Sequence, residues 1–253
     1  MRFAASADAY DRFMGRYSVH LAPSFADFAR VSPGQRVLDV GCGPGALTTE
    51  LVKRLGVSSV AAVDPAEQFA AAARDRHPGV EVQVAAAEQL PFEDGEFDAT
   101  LAQLVVHFMA NPVRGLAEMA RVTRDGGLVA ACVWDHAGKQ SPLAPFWDAV
   151  RQLDPAVPDE SRMAGGHQGH LTELITEAGL TDVAEEALAV PVEHDTFAAW
   201  WEPFTLGVGP AGAYLESIDR DRQAAVRVRC LAALGHGPFT IQARVWAARG
   251  YVG

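Results

Sequence analysis

Long apolar runs are missing from this sequence: none approaches the roughly 18 to 20 residues needed to cross a bilayer, and the N-terminus carries Arg2 without the apolar stretch of a secretory signal. The chain therefore reads as a soluble, cytoplasmic protein. Cysteine is scarce, with 3 residues, Cys42, Cys132 and Cys230, each isolated in sequence. That odd, scattered set excludes a disulfide framework and a C-x-x-C metal site. Positive charge is also short, with Lys+Arg 21 against Asp+Glu 32 and a formal net charge of -11. A phosphate backbone would be repelled unless basic residues were segregated. Arg220, Arg222, Arg227 and Arg229 come nearest to a cluster, but Asp219 and Asp221 are interleaved with them, which describes a solvated helix face. Nucleic acid is excluded as a partner on this ground. No G-x-S-x-G elbow and no P-loop lysine occurs. His167 and His170 lack a third ligand in a matching frame, so no metal site is expected.

With 253 residues, 49% of them hydrophobic, the chain can bury a full core and reads as one domain over 1–253. Its organising stretch is Arg36 to Gly45: a short apolar strand, glycines at 41, 43 and 45, then a helical run from Ala46 to Leu55. A strand, a tight turn and a helix start let a ligand approach bare backbone and the free amides of the first helical turn. Gly41, Gly43 and Ala46 also satisfy the loose dinucleotide pattern G-x-G-x-x-G/A. Val57 to Val63 reads as a second strand ending at Asp64, with a helix-starting Pro65 behind it. A carboxylate about 20 residues beyond the glycine turn is placed to accept ribose hydroxyls, so Asp64 supports nucleoside binding without identifying the nucleoside.

Elsewhere, Tyr10, Phe13, Met14, Tyr17 and Leu21 recur at helical spacing, predicting a helix over 8–20, with a second short helix over Pro23 to Arg30. Further helices are expected over 66–77, 112–122, 141–153 and 171–178. Strands are expected over 80–85, 98–106, 128–134, 183–192 and 239–247. The stretch 196–235 is too long for a plain hairpin and holds Trp200, Trp201, Phe204 and Tyr214. It is read as a helical lid over a substrate pocket, with a dimer contact or local core as the alternative.

Several of these segments resemble one family. Val37 to Gly45 matches motif I of the class I S-adenosylmethionine-dependent methyltransferases, and Ala86 to Asp98 is similar to their Asp-Ala-Glu-x-Leu-Pro-Phe-x-Asp-x-x-Phe-Asp segment. Tyr10 to Tyr17 resembles the leader of small-molecule members, notably the ubiquinone- and menaquinone-methyltransferase group, and Arg121 to Gly127 resembles their Arg-Val-Leu-Lys-Pro-Gly-Gly turn. The resemblance spans Tyr10 to Asp135 and departs at Ala86, where an aspartate commonly faces the adenine, and at Phe108, where a second histidine is common.

It implies an α/β fold, a Rossmann-like, doubly wound, mostly parallel sheet of seven strands in the order 3-2-1-4-5-7-6 with strand 7 antiparallel, N-terminal helices and a helical insertion between strands 6 and 7. The domain would divide into an N-terminal cap (1–30), a cofactor core (31–135), a connection (136–180) and the last two strands with the insertion (181–253). It implies S-adenosylmethionine as cofactor, leaving as S-adenosylhomocysteine, with contacts from Tyr10, Arg16, Asp39, Gly41, Cys42, Gly43, Gly45, Asp64, Pro65, Ala87, Glu88, Gln103 and Leu104. Methyl transfer needs the acceptor held in line with the methyl carbon more than covalent help. If the acceptor needs a base, His107 is the expected one among His107, His136, His167, His170 and His194. The acceptor is read as a small molecule methylated on O or C rather than N. An NAD(P)-dependent oxidoreductase and a non-catalytic cofactor-binding regulator are the alternatives, and the chain is compatible with a monomer or a homodimer.

Overall fold

The computed structural model describes residues 6–253; Arg2 and the first residues of the expected cap lie outside them. The chain opens with α1 (Ala7–Tyr10), a wide π turn at Asp11–Gly15 and α2 (Arg16–Phe28). The sequence pattern predicts two helices separated before Pro23, whereas α2 runs through it. Pro23 cannot donate to the carbonyl of Val19, and Val19 lies on the exposed side of the helix, at 49%. Gly15 closes the π turn, where a Cβ would come 2.7 Å from Asp11 Oδ1. The predicted aromatic face is buried, with Phe13, Met14, Tyr17 and Leu21 in the core.

Seven strands follow: β1 (Val37–Val40), β2 (Val60–Asp64), β3 (Glu81–Val84), β4 (Phe97–Gln103), β5 (Thr123–Trp134), β6 (Thr181–His194) and β7 (Phe239–Tyr251). They pair in the order β3-β2-β1-β4-β5-β7-β6, with β7 antiparallel to β5 and β6. This is the expected sheet. Helices α3 (Ala46–Leu55), α4 (Glu67–Arg76), α5 (Pro112–Val122), α6 (Ala144–Leu153) and α7 (His170–Glu177) make the crossovers. They cover both faces, so β1 and β2 are buried throughout and read as continuous apolar runs rather than alternating ones. Strand order reverses between β1 and β4, and an open parallel sheet places its ligand crevice beyond the strand ends at such a reversal.

Several boundaries differ from the sequence reading, among them β7, which runs on to Tyr251, and α6, which starts only at Ala144; three of the differences have a clear local reason. Val57–Ser59 is a single 3₁₀ turn and β2 starts at Val60. Pro65 does not start α4: Asp64 Oδ1 accepts the Ala66 N–H at 2.8 Å, so a side-chain-closed turn precedes the helix at Glu67. β4 stops at Gln103 instead of running to Val106, because Leu104 adopts a left-handed backbone, φ 63°, and turns the chain out of the sheet into a 3₁₀ turn at Val106–Phe108. The turn expected at Arg124–Gly127 is a bulged start of β5.

The insertion between β6 and β7 is helical: α8 (Phe197–Trp201), a 3₁₀ turn at Glu202–Leu206, α9 (Gly209–Ser217) and α10 (Arg220–Leu234). Its aromatic residues face inward. Trp200 and Phe204 are fully buried, and Phe204 stacks on Phe146 of α6 at 4.9 Å and meets the edge of Phe13 at 5.2 Å. Arg16 donates to the carbonyls of Ala199 and Trp200 at 3.0 and 3.1 Å, fixing the insertion to α2. Arg220, Arg222 and Arg227 lie on the exposed side of α10, as their interleaving with acids predicts. Because Phe204 joins insertion, cap and α6, Phe204→Ala should cost roughly 3 to 5 kcal/mol, read as a lower urea midpoint with an unchanged slope.

Candidate active site

The glycine turn is built by β1 leaving the sheet under β2. The N–H groups of Gly41 and Cys42 both donate to the Val63 carbonyl, at 2.8 and 2.9 Å, which leaves the next amide, that of Gly43, to the Asp64 carboxylate at 2.9 Å. Gly43 has φ 54°, and a Cβ there would project into open space with Tyr10 as its nearest neighbour at 3.8 Å. Gly41 is a different case: its Cβ would lie 2.5 Å from the Val105 side chain, so glycine is required for the close approach of Val105. Asp64 is 6% exposed. Burial raises its carboxyl above the ordinary range, opposed by the two backbone amides it accepts.

Beneath the turn, Asp39 is buried and accepts the Thr48 hydroxyl at 2.7 Å, bracing β1 against the first turn of α3. Burial pushes its carboxyl up to about 7, with Thr48 lowering it and Asp64 raising it. The buried Cys42 thiol is raised well above its ordinary value, first by burial and then by Asp39 and Asp64, which makes it inert. Gly45 caps α3 with φ 97°, held from below by His77, whose Nε2 lies 3.4 Å from the Gly45 carbonyl and 3.0 Å from Thr49 Oγ1. No motif or spacing marks His77 in advance.

Two adjoining cavities form a crevice over this turn and share Gly41, Pro65, Val105 and Phe108. One end is walled by Tyr10, Gly43, Asp64, Phe69 and Leu104, with the Tyr10 and Phe69 rings 5.2 Å apart. The other is walled by Ala86, Ala87, Glu88, Met109 and Ala110. Bare backbone beside a carboxylate suits a polyhydroxylated group, and the slot of alanines and a thioether suits a flat apolar ring. Glu88 is turned in part to structure, its Oε1 accepting the Asn111 N–H at 3.0 Å.

Of the residues singled out from sequence, Tyr10, Gly41, Gly43, Asp64, Pro65, Ala87, Glu88 and Leu104 line this crevice. Asp39, Cys42 and Gly45 support it from below. Arg16 and Gln103 line neither cavity: Arg16 holds the insertion, and Gln103 Nε2 donates to the Ser18 carbonyl at 3.1 Å, tying α2 to β4.

A further cavity lies on the other side of Tyr10, Leu104 and Phe108, which it shares with the crevice. Its walls are mostly apolar, with Phe13, Met14, Trp134, Leu143 and, from the insertion, Val208 to Pro210. Into this lining come His107, His136 and Glu160. The two imidazoles lie 5.9 Å apart. Burial depresses both: His107 well below its ordinary value, helped by His136, and His136 down to about 4, opposed by Asp159 and Asp135. Both are therefore neutral near pH 7. Glu160 accepts the Trp147 indole N–H at 2.7 Å, and burial pushes its carboxyl up to about 7, with Trp147 lowering it.

Sequence reasoning misses Glu160 because it stands in a Pro- and Gly-rich connection with no periodicity or motif around it. The other histidines singled out from sequence, His167, His170 and His194, line neither the crevice nor this cavity. His170 Nδ1 accepts the Gly165 N–H and its ring stacks on His167, and His194 pairs with the Tyr17 hydroxyl at 3.1 Å. No metal-competent cluster occurs among the described residues, and none of their helices is long and apolar enough to cross a membrane.

Comparison with known proteins gives a consistent result. Residues 38–131 match a family model described as a methyltransferase domain. An uncharacterized methyltransferase of Mycobacterium tuberculosis is 35% identical over 190 residues, covering 72% of this chain and 75% of its own length. The demethylmenaquinone methyltransferase of Paenarthrobacter aurescens is 29% identical over 181 residues, covering 64% and 69%. Among solved structures, an S-adenosylmethionine-dependent methyltransferase from Thermotoga maritima superposes with a TM-score of 0.57 at 20% identity, over 97% of this chain and 99% of the other. At that identity the likeness speaks for the fold alone.

The buried carboxyl of Glu160 generates a pH-dependent prediction. Its ordinary value is 4.5 and its folded value about 7, so between these the unfolded chain has lost a proton that the folded chain still holds, and this group makes stability fall as pH rises. Glu160→Gln keeps an acceptor for Trp147 but removes that dependence. The variant should gain on the native chain from about pH 4.5 to 7, by on the order of 3 kcal/mol, and run parallel to it above; urea melts across this range measure the difference.

Proposed function

Since the chain belongs to the S-adenosylmethionine-dependent methyltransferases, we propose that the crevice over the glycine turn holds this cofactor, and that the adjoining cavity holds a small-molecule acceptor methylated on oxygen or carbon. The observation that carries the reading is the shared wall. Tyr10, Leu104 and Phe108 belong to both cavities, so groups bound on either side meet with little protein between them.

The crevice fits the cofactor on its own geometry. Asp64 accepts one backbone amide on each oxygen and keeps lone pairs for the two ribose hydroxyls. Gly43 leaves the space above it open. With an aspartate missing at Ala86, the adenine would be recognised by shape, by the backbone of Ala87 and by Glu88. The cofactor supplies a methyl group already activated by a positively charged sulfur, and its leaving group with it. What the protein has to supply is alignment and dryness. Tyr10, Phe13, Phe108 and Trp134 exclude water from the meeting point, and Val208 to Pro210 close the cavity from the insertion, which makes the insertion a lid by position as well as a local core. Methylation of O or C is favoured over N because the lining presents neutral imidazoles and, among the described residues, no carboxamide side chain.

Two substitutions test the cofactor half. Asp64→Ala should weaken S-adenosylhomocysteine binding in calorimetry by roughly 1.5 to 3 kcal/mol for each charge-assisted bond removed. Gly43→Ala should weaken it at least tenfold by filling the cradle, while melting shows a folded protein. Unchanged affinity in both variants, or tight binding of NADH without S-adenosylhomocysteine, would place the ligand elsewhere.

A further inference from the structure

Glycine at position 115 runs against helix propensity. It lies within α5 and its backbone is not left-handed, so alanine would suit the conformation and serve the helix better. What excludes alanine is space. A Cβ at Gly115 would come 2.5 Å from Met109 Sδ, 3.3 Å from Ala87 Cβ and 3.4 Å from Met109 Cε. Met109 and Ala87 are both walls of the alanine-and-thioether end of the crevice, whereas Gly115 is buried and lines neither part of it. Gly15 and Gly212 also sit in helical segments, but a Cβ there would meet Asp11 and the backbone of Gly207, neither of which lines the crevice.

The helix is not free to back away from an added methyl. Polar contacts along α5 and its cap hold it to the segment that carries Ala87. Glu88 Oε1 accepts the Asn111 N–H at 3.0 Å, and Glu118 Oε2 accepts the Leu90 N–H at 3.1 Å. Arg121 donates to the carbonyls of Leu90 and Phe92 at 3.0 and 2.9 Å. Asn111 in turn caps α5 through the Arg114 N–H, and its carbonyl accepts the Gly115 N–H at 3.0 Å, so the first of these contacts lies one turn from Gly115. Helix and Ala87 are thus fixed relative to each other. Of the two side chains in the way, only the thioether has bonds that can turn.

Resting on the reading of the crevice as the cofactor site, we propose that Gly115 is a positioning residue for the cofactor's base: it lets Met109 lie back against α5 and so sets the width of the slot that a flat ring enters. Gly115 touches no ligand and acts through Met109. A methyl at 115 turns the thioether away from α5 and into the slot that it lines. Close packing leaves a bound ring no room to share with a displaced sulfur. Cutting Met109 back to its Cβ removes the struck atom and restores the width.

The test is calorimetric titration of the full chain with S-adenosylhomocysteine. Gly115→Ala should weaken binding at least tenfold while melting shows a folded protein. Met109→Ala should bind within about threefold of the native chain. The double variant Gly115→Ala/Met109→Ala should bind within about threefold of Met109→Ala, a rescue that a merely structural role for Gly115 does not produce. If Gly115→Ala does not fold, the double variant decides alone, since it lacks the atom that the new methyl strikes and has to fold and bind. Native affinity in Gly115→Ala, or a double variant that is unfolded or fails to recover the affinity of Met109→Ala, overturns the proposal. Failure of the native chain to bind S-adenosylhomocysteine would instead overturn the reading of the crevice.

Discussion

The carboxylate of Asp64 holds the site together. One oxygen takes the amide of Gly43 and the other the amide of Ala66, so a single side chain at the end of β2 fixes both the glycine turn leaving β1 and the entry to α4. Those two segments wall the crevice. The same carboxylate lines the crevice, and its partial desolvation makes any further hydrogen bond to it stronger than an exposed carboxylate would form. Structure and recognition thus rest on one group, and a change at Asp64 would be felt in the shape of the turn as well as in its direct hold on the ligand.

Around that point the molecule is organised as supports. Asp39 and Thr48 lock the first turn of α3 to β1, His77 presses against Gly45, and Gln103 ties α2 to the end of β4. Arg16 carries the chain of support outward to the insertion, where its two hydrogen bonds reach carbonyls of Ala199 and Trp200. The rings of Phe13, Phe146, Trp200 and Phe204 pack together there, in the same insertion whose Val208 to Pro210 line the cavity beside the crevice. The walls of the crevice and of the neighbouring cavity are thus held by buried polar contacts at the glycine turn and by aromatic packing at the insertion.

Much of this is legible in the sequence, for identifiable reasons. The strand-glycine-helix signature and the spacing to Asp64 reflect constraints local to a few residues, and the order of strands follows from the resemblance those motifs carry. Element ends are less legible. The chain continues helically through Pro23, and it leaves β4 early because Leu104 flips to the left-handed region; neither is written in periodicity. The acceptor side is hardest to read. His107 comes from the resemblance, while Glu160 and His77 become part of the site only through tertiary packing, in segments whose local composition describes ordinary loop and helix end. Arg16 shows the converse: a guanidinium expected among the cofactor contacts meets backbone carbonyls that no one-dimensional pattern places beside it.

Leu104 has one more bearing on how the protein works. Its backbone, φ 63°, is an uncommon conformation for a branched apolar residue and is retained where surrounding contacts over-determine it; here the Leu104 N–H is held by the Cys132 carbonyl at 2.9 Å while its side chain belongs to both cavities. A partition that is common property cannot yield to an occupant on one side without reshaping the room on the other. Thermodynamic reciprocity then requires that, for any two guests taken up on its two sides, whatever the first does to the grip on the second, the second does equally to the first.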